Sequence, residues 1–223
     1  MEEEINSADS GQIPQPNKKQ IPEVYILRDW KEYAGESLLI IFSVLLALIL
    51  TEFINNLHEM KETRDLLDNI RKELKINRMF EKEQYAYHQQ VLRSIDSALA
   101  SPELQKKIVS NDEFHLKYIA PHGVIYRYLD DVAWEIAKSH NISSKVDIKT
   151  MYLLTYIYQD QARIMKVEDE IAKVFLSREA GKVENAHATL ILIKNNYRGW
   201  AVDRVPGLLE QYDKAIKLLA KEN

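Results

Sequence analysis

Residues Leu38 to Leu50 read LLIIFSVLLALIL, thirteen residues broken only by Ser43 and flanked by Glu36 and Glu52. At about 100° per residue their side chains cover every face of a helix, so whatever surrounds this segment must be apolar in all directions. Length alone favours a core helix, because the run covers about 20 Å of a hydrocarbon layer about 30 Å thick. The flanks favour a membrane. Glu36 and Glu52 are about 24 Å apart along a helix, which leaves each carboxylate only about 3 Å inside that layer. Trp30 and Tyr33 precede the run as an aromatic belt would, and Phe53, Ile54 and Leu57 prolong its apolar length. The rest of the chain is too small and too polar to wrap such a helix. A single membrane-spanning helix over residues 37–57 is expected, and the competing reading is the core helix of a soluble bundle.

The 223 residues are 46% apolar and 29% charged, a composition that folds. The net charge of −4 is carried by the first 36 residues, with eight acids against four bases. The remainder is balanced and offers no basic face for nucleic acid. No cysteine is present, which excludes disulfides, thiolate nucleophiles and Cys-ligated metal centres. Residues 1–24 read as a disordered tail, with three of the six prolines in the first 22 positions, and 25–36 as a juxtamembrane segment. The late apolar run, its acidic approach and the lack of a small-x-small cleavage site argue against a signal peptide.

Tyr33-Ala34-Gly35-Glu36, the aliphatic run and the exit Asn55-Asn56-x-x-Glu59 resemble the N-terminal anchor of a family of uncharacterised bacterial proteins. The resemblance covers about a quarter of the chain, and the glycine often found inside that family's membrane run is Ser43 here. It implies one membrane helix in the bacterial inner membrane followed by a helical domain of unknown function, and it supplies no activity. Positive charges do not orient the span: Lys18, Lys19, Arg28 and Lys31 precede it, and Lys61, Arg64, Arg71 and Lys72 follow. Because a short tail stays behind more easily than it crosses, the tail is expected in the cytoplasm and the C-terminal domain in the periplasm.

No glycine or proline occurs from Ser37 to Ser101, so the helix is expected to continue as a long stalk over residues 58–100. Met60, Thr63, Leu67, Ile70, Leu74, Asn77 and Glu81 form a coiled-coil-like stripe. After a four-residue stutter it resumes at Tyr85, His88, Leu92, Ile95 and Leu99. The polar Asn77, Glu81 and His88 read as a local bend or a water-exposed gap, with a buried polar site as the alternative. Residues 101–223 should form a helical bundle, making the class all-α. Ser101-Pro102 starts a short helix to Val109, a second lies near Asp112 to Ile119, and Pro121-His122-Gly123 is a turn. Longer helices are expected from about Tyr126 to Ser139, from an Asp147 cap to about Arg178, from Glu184 to Tyr197 and from Pro206 to Lys221. Gly199 would cap the third of these, with Trp200 folded back as a lid.

Chemistry is scarce in this sequence. It holds no phosphate-binding loop, dinucleotide fingerprint or nucleophile elbow, so no catalytic residue and no cofactor is assigned. Glu184-x-x-His187 matches half of a di-iron bundle motif but lacks the second copy and the extra glutamates that such a site needs. Trp134, Tyr152, Tyr156, Arg198 and Trp200 are the residue types that dominate interface hot spots, and they are equally suited to filling gaps between helices. The sequence therefore points to a membrane-anchored binding or scaffolding protein with a protein partner or a second copy. A soluble metal-dependent bundle and a signalling module working through the stutter are the rivals.

Overall fold

A computed structural model of the protein describes residues 30–125 and 127–221; the tail assigned to 1–24, residues 25–29 and Tyr126 lie outside the described residues. The fold is all-α. Helix α1 (Trp30–Leu99) is continuous over 70 residues, as a stretch free of glycine and proline beyond Gly35 permits. The chain divides after Phe53 into two compact units. Within the described residues the first unit consists of α1 alone.

The second unit, Ile54–Asn223, contains the remainder of α1 and all the other elements. The segment read as a stalk thus belongs to the same compact unit as the bundle. Ser101 caps α2 (Pro102–Ile108), its Oγ accepting from the Leu104 N–H at 3.2 Å. The helix expected near Asp112 is replaced by a hairpin, β1 (Val109–Ser110) paired antiparallel with β2 (Glu113–Phe114). Its turn residues Asn111 and Asp112 have φ of 55° and 59°, a left-handed conformation that these short polar side chains tolerate and that closes a two-residue turn. The hairpin tip rests on Gly181, where a Cβ would collide with the Asp112 carbonyl.

A short 3₁₀ turn, Leu116–Tyr118, leads into an irregular strap ending at Asp131. Then α3 (Val132–Ser139) begins several residues later than its expected start near Tyr126. In α4 (Ile148–Phe175), Asp147 is the N-cap anticipated from the sequence and accepts from Lys149 N at 2.8 Å and Thr150 N at 3.2 Å. Next come α5 (Ala186–Tyr197) and α6 (Val205–Leu219). Gly199 is not a helix terminus: the chain continues through a wide π turn, Arg198–Val202, closed by Asp203 N to Arg198 O at 2.9 Å.

Two apolar clusters hold this unit together. One joins Leu66, Leu67, Ile70 and Leu74 of α1 to Trp134, Ile157, Ile164, Leu208 and Tyr212. The other joins Val91, Ile95 and Ala98 of α1 to Val109, Phe114, Ile171, Leu190 and Tyr197. The buried face of α1 runs 67, 70, 74, 77, 81, 84, 88, 91, 95, 98 without a break in its three-four spacing. The stutter expected near Glu81 does not exist. Gln84, rather than Tyr85, occupies the next place in the stripe.

Candidate functional site

Two features of this fold go beyond packing, and the first is the apolar run. Its large apolar side chains are exposed, from Leu46 at 45% to Leu38 at 70%. No part of the most apolar window is buried. The two hydroxyls within it are satisfied by the helix itself, Ser43 Oγ donating to Leu39 O at 2.7 Å and Thr51 Oγ1 to Ala47 O at 2.8 Å. Side chains that bond their own preceding turn present no unpaired donor to an apolar surrounding.

The second feature lies between the two apolar clusters, where α1 carries Asn77, Glu81, Gln84 and His88, all fully buried. The expected water-exposed gap is therefore a polar core. Its cause is the strap. A segment without secondary structure leaves backbone groups that must find partners when buried, and α1 supplies them in order. Tyr87 Oη donates to Gly123 O at 2.7 Å and accepts from His122 N at 3.1 Å. Gln84 Oε1 accepts from Arg127 N at 2.6 Å. Asn77 pairs with both sides of Asp130, accepting from its N–H at 2.9 Å and donating to its carbonyl at 2.6 Å. Glu73 accepts from Ala133 N at 2.7 Å and from the Tyr158 hydroxyl at 2.7 Å. As the strap advances from 122 to 133, its partners on α1 retreat from 87 to 73. Gln161 adds a donor to Asp130 O at 3.2 Å, and Tyr212 donates to Gln161 at 2.8 Å.

Two titratable groups are left over from this clamp. Among the described residues both carboxylate oxygens of Glu81 lack a hydrogen-bond partner, and burial pushes the carboxyl up to about 7. His88 meets the Ala201 carbonyl through Nδ1 at 2.9 Å and lies edge-on to the Tyr197 ring, 5.1 Å between centroids. Since a carbonyl only accepts, Nδ1 donates. Burial holds the imidazole down to about 4, against the raising influence of the Ala201 and Val124 carbonyls. Continuing the π spacing, the Ala201 carbonyl would be served by residue 206, a proline with no N–H, and His88 takes that role.

The expected interface residues do not form one patch. Trp134 is 5% exposed and stacks on Tyr158 at 5.1 Å and 3°, a gap-filling role between helices. Together they floor an open cleft of about 430 Å³ edged by Asp131, Glu135 and Lys138. Trp200 is half-buried against the other cluster with the Arg204 guanidinium 4.1 Å over its ring, and Arg198 on the same turn is exposed. Tyr152 and Tyr156 do share a face of α4, with Ile148 one turn before them: an exposed stripe at four-residue spacing in which Ile148 is 84% and Tyr152 74% exposed. Glu184 and His187 are exposed, one on a 3₁₀ turn and the other in the first turn of α5. Among the described residues no three His, Asp or Glu side chains are grouped as metal ligands. Gln84, which sequence reasoning passed over, could have been found by carrying the three-four spacing through polar positions, whereas Tyr87 and Glu73 lie beside that stripe and carried no such signal.

No family model, curated protein or solved structure matches this chain.

Proposed function

We propose that this is a single-pass membrane protein whose helical unit acts by binding or scaffolding rather than by catalysis. The observation that carries the reading is the apolar run of α1, apolar on all faces and exposed among the described residues. A core helix of a soluble bundle would be buried where this one is exposed, and water does not tolerate a surface of this kind. Self-satisfied hydroxyls at Ser43 and Thr51 fit a lipid surrounding. The exposed Ile148, Tyr152 and Tyr156 stripe is the surface that the reading offers to a protein partner or a second copy. From the resemblance of the anchor comes the bacterial inner membrane; the tail in the cytoplasm and the folded unit in the periplasm is the orientation proposed alongside it. The signalling alternative rested on a stutter, and the unbroken stripe removes that support.

Reporter fusions at each terminus together with fractionation of the intact chain test the proposal. Recovery with membranes until detergent is added, and reporters active on opposite sides, are expected. Recovery in the soluble pool without detergent sinks it, as would a mild-detergent pull-down that returned neither a partner nor a second copy.

A further inference from the structure

Directly after the apolar run, α1 forms one wall of an open cleft of about 740 Å³, within the size range of small-ligand sites. Met60 and Leu67 of α1 and Val146 from the opposite wall give it an apolar lining. At about 100° per residue, Glu59 and Arg64 lie about 140° apart on α1, one to each side of the strip formed by Met60, Thr63 and Leu67. The cleft also contains Lys145 and Asp147, and both are engaged: Lys145 Nζ bonds Glu62 at 3.0 Å, and Asp147 caps α4. Arg64 and Glu59 have no ion-pair partner among the described residues. One cation and one anion therefore flank an apolar strip of α1 within the cleft.

We propose that this cleft holds the headgroup of a zwitterionic aminophospholipid, its phosphate on Arg64 and its ammonium on Glu59, an inference that rests on the membrane-anchored reading. A guanidinium matches a phosphate by paired hydrogen bonds, and the carboxylate on the other rim sets a zwitterion apart from a purely anionic headgroup. Two observations favour a lipid over a soluble phosphate. Ile54, Leu57 and Met60 are all exposed and lead along α1 to the cleft, giving acyl chains an apolar track. Leu57 and Arg64 are seven residues apart, so they share a helix face about 10 Å apart. Helical side chains lean towards the N-terminus, so the Arg64 stem reaches back towards Leu57 while its head stays polar.

The test uses the full chain, extracted in mild detergent, stripped of lipid and titrated with phosphatidylethanolamine or phosphatidylglycerol under native mass spectrometry. Phosphatidylethanolamine should be retained at about tenfold lower concentration than phosphatidylglycerol, and Arg64→Ala and Glu59→Gln should each remove most of that difference. Asp65→Asn, on the far side of α1, should leave it intact, and Glu59→Arg should turn the preference towards phosphatidylglycerol. Glu59, Arg64 and Asp65 are exposed, so these variants should fold, which circular dichroism checks. Equal retention of both lipids, or retention unchanged in Arg64→Ala and Glu59→Gln, overturns the proposal. So does soluble glycerophosphoethanolamine binding as well as the lipid. A chain that fractionates with membranes yet shows no lipid preference defeats this inference alone, whereas a chain soluble without detergent defeats the membrane reading itself.

Discussion

Glu81 and His88 sit two turns apart on one face of α1, both fully buried, and their titrations act on stability in opposite senses. For Glu81 the folded carboxyl titrates at about 7 against an ordinary 4.5, so the folded state holds its proton more tightly. Its contribution is fully present below pH 4.5 and is lost as pH rises through about 7. For His88 the folded imidazole titrates at about 4 against 6.5, so its contribution is present above pH 6.5 and is lost as pH falls through about 4. At about 1.4 kcal/mol per pH unit of separation, each group is worth about 3 kcal/mol. Between pH 4.5 and 6.5 the two slopes cancel. Carboxyls held below their ordinary values by ion pairs or caps, Glu62, Asp68, Asp147 and Glu179, lose their contribution only at lower pH and leave this window flat. The full chain in mild detergent, unfolded with urea and followed by tryptophan fluorescence, should therefore show nearly constant stability across the window. Glu81→Gln should unmask the histidine, with stability rising by about 2–3 kcal/mol from pH 4.5 to 6.5, and His88→Gln should unmask the glutamate, with stability falling by about as much. If both variants keep the flat profile of the parent, the two groups do not titrate in the folded protein as argued.

Asn77→Leu keeps the branched shape but strips Asp130 of its N–H partner and one carbonyl donor; a loss of about 2–4 kcal/mol in urea unfolding is expected, with hydrogen exchange accelerated around 127–133. Gly181→Ala places a Cβ against the Asp112 carbonyl, backbone that cannot rotate aside, and should cost about 1–3 kcal/mol by the same assay. Trp134→Ala removes one partner of the stacked pair from a core cluster and should cost about 3–5 kcal/mol. Tyr152→Ala, on the exposed face of α4, should change stability by less than about 0.5 kcal/mol while lowering recovery of any partner that docks there.

The helices with local start signals were legible. Ser101-Pro102 and Asp147 supply side-chain oxygens to first-turn amides, and those bonds form whatever the rest of the chain does. The apolar stripe of α4 was equally plain, because Ile157, Ile164, Val167 and Ile171 sit at helical spacing and are buried together. The hairpin at 109–114 was not legible. Asn111-Asp112 is a turn signal, but flanking strands of two residues each are too short to show an alternation, and their pairing depends on Gly181 receiving the tip. The late start of α3 has a similar origin. Residues 124–131 include apolar and aromatic side chains that would suit a helix, yet backbone groups of Val124, Arg127 and Asp130 are engaged by side chains from α1, α4 and α5, which competes with helix formation there.

Polar residues on a helix face and an unstructured segment elsewhere in the chain each look like defects when taken alone. Here they are two halves of one arrangement. The strap lacks a ladder of its own, so every backbone group it buries requires a donor or acceptor from outside, and a helix can supply these only at its own spacing of three and four. Asn77 and Gln84 fall at that spacing and Tyr87 lies beside it, which fixes where the strap must pass. Glu81 and His88 are the positions on the same face that accept from no strap N–H: His88 turns instead to Ala201, and the Glu81 carboxylate has no hydrogen-bond partner among the described residues. An all-apolar stripe would have packed the two clusters into one, but it would have taken the α1 acceptors away from the Arg127 and Asp130 amides, at about 1–3 kcal/mol apiece. The polar interruption in α1 is therefore the feature that lets an irregular segment cross the middle of a helical unit.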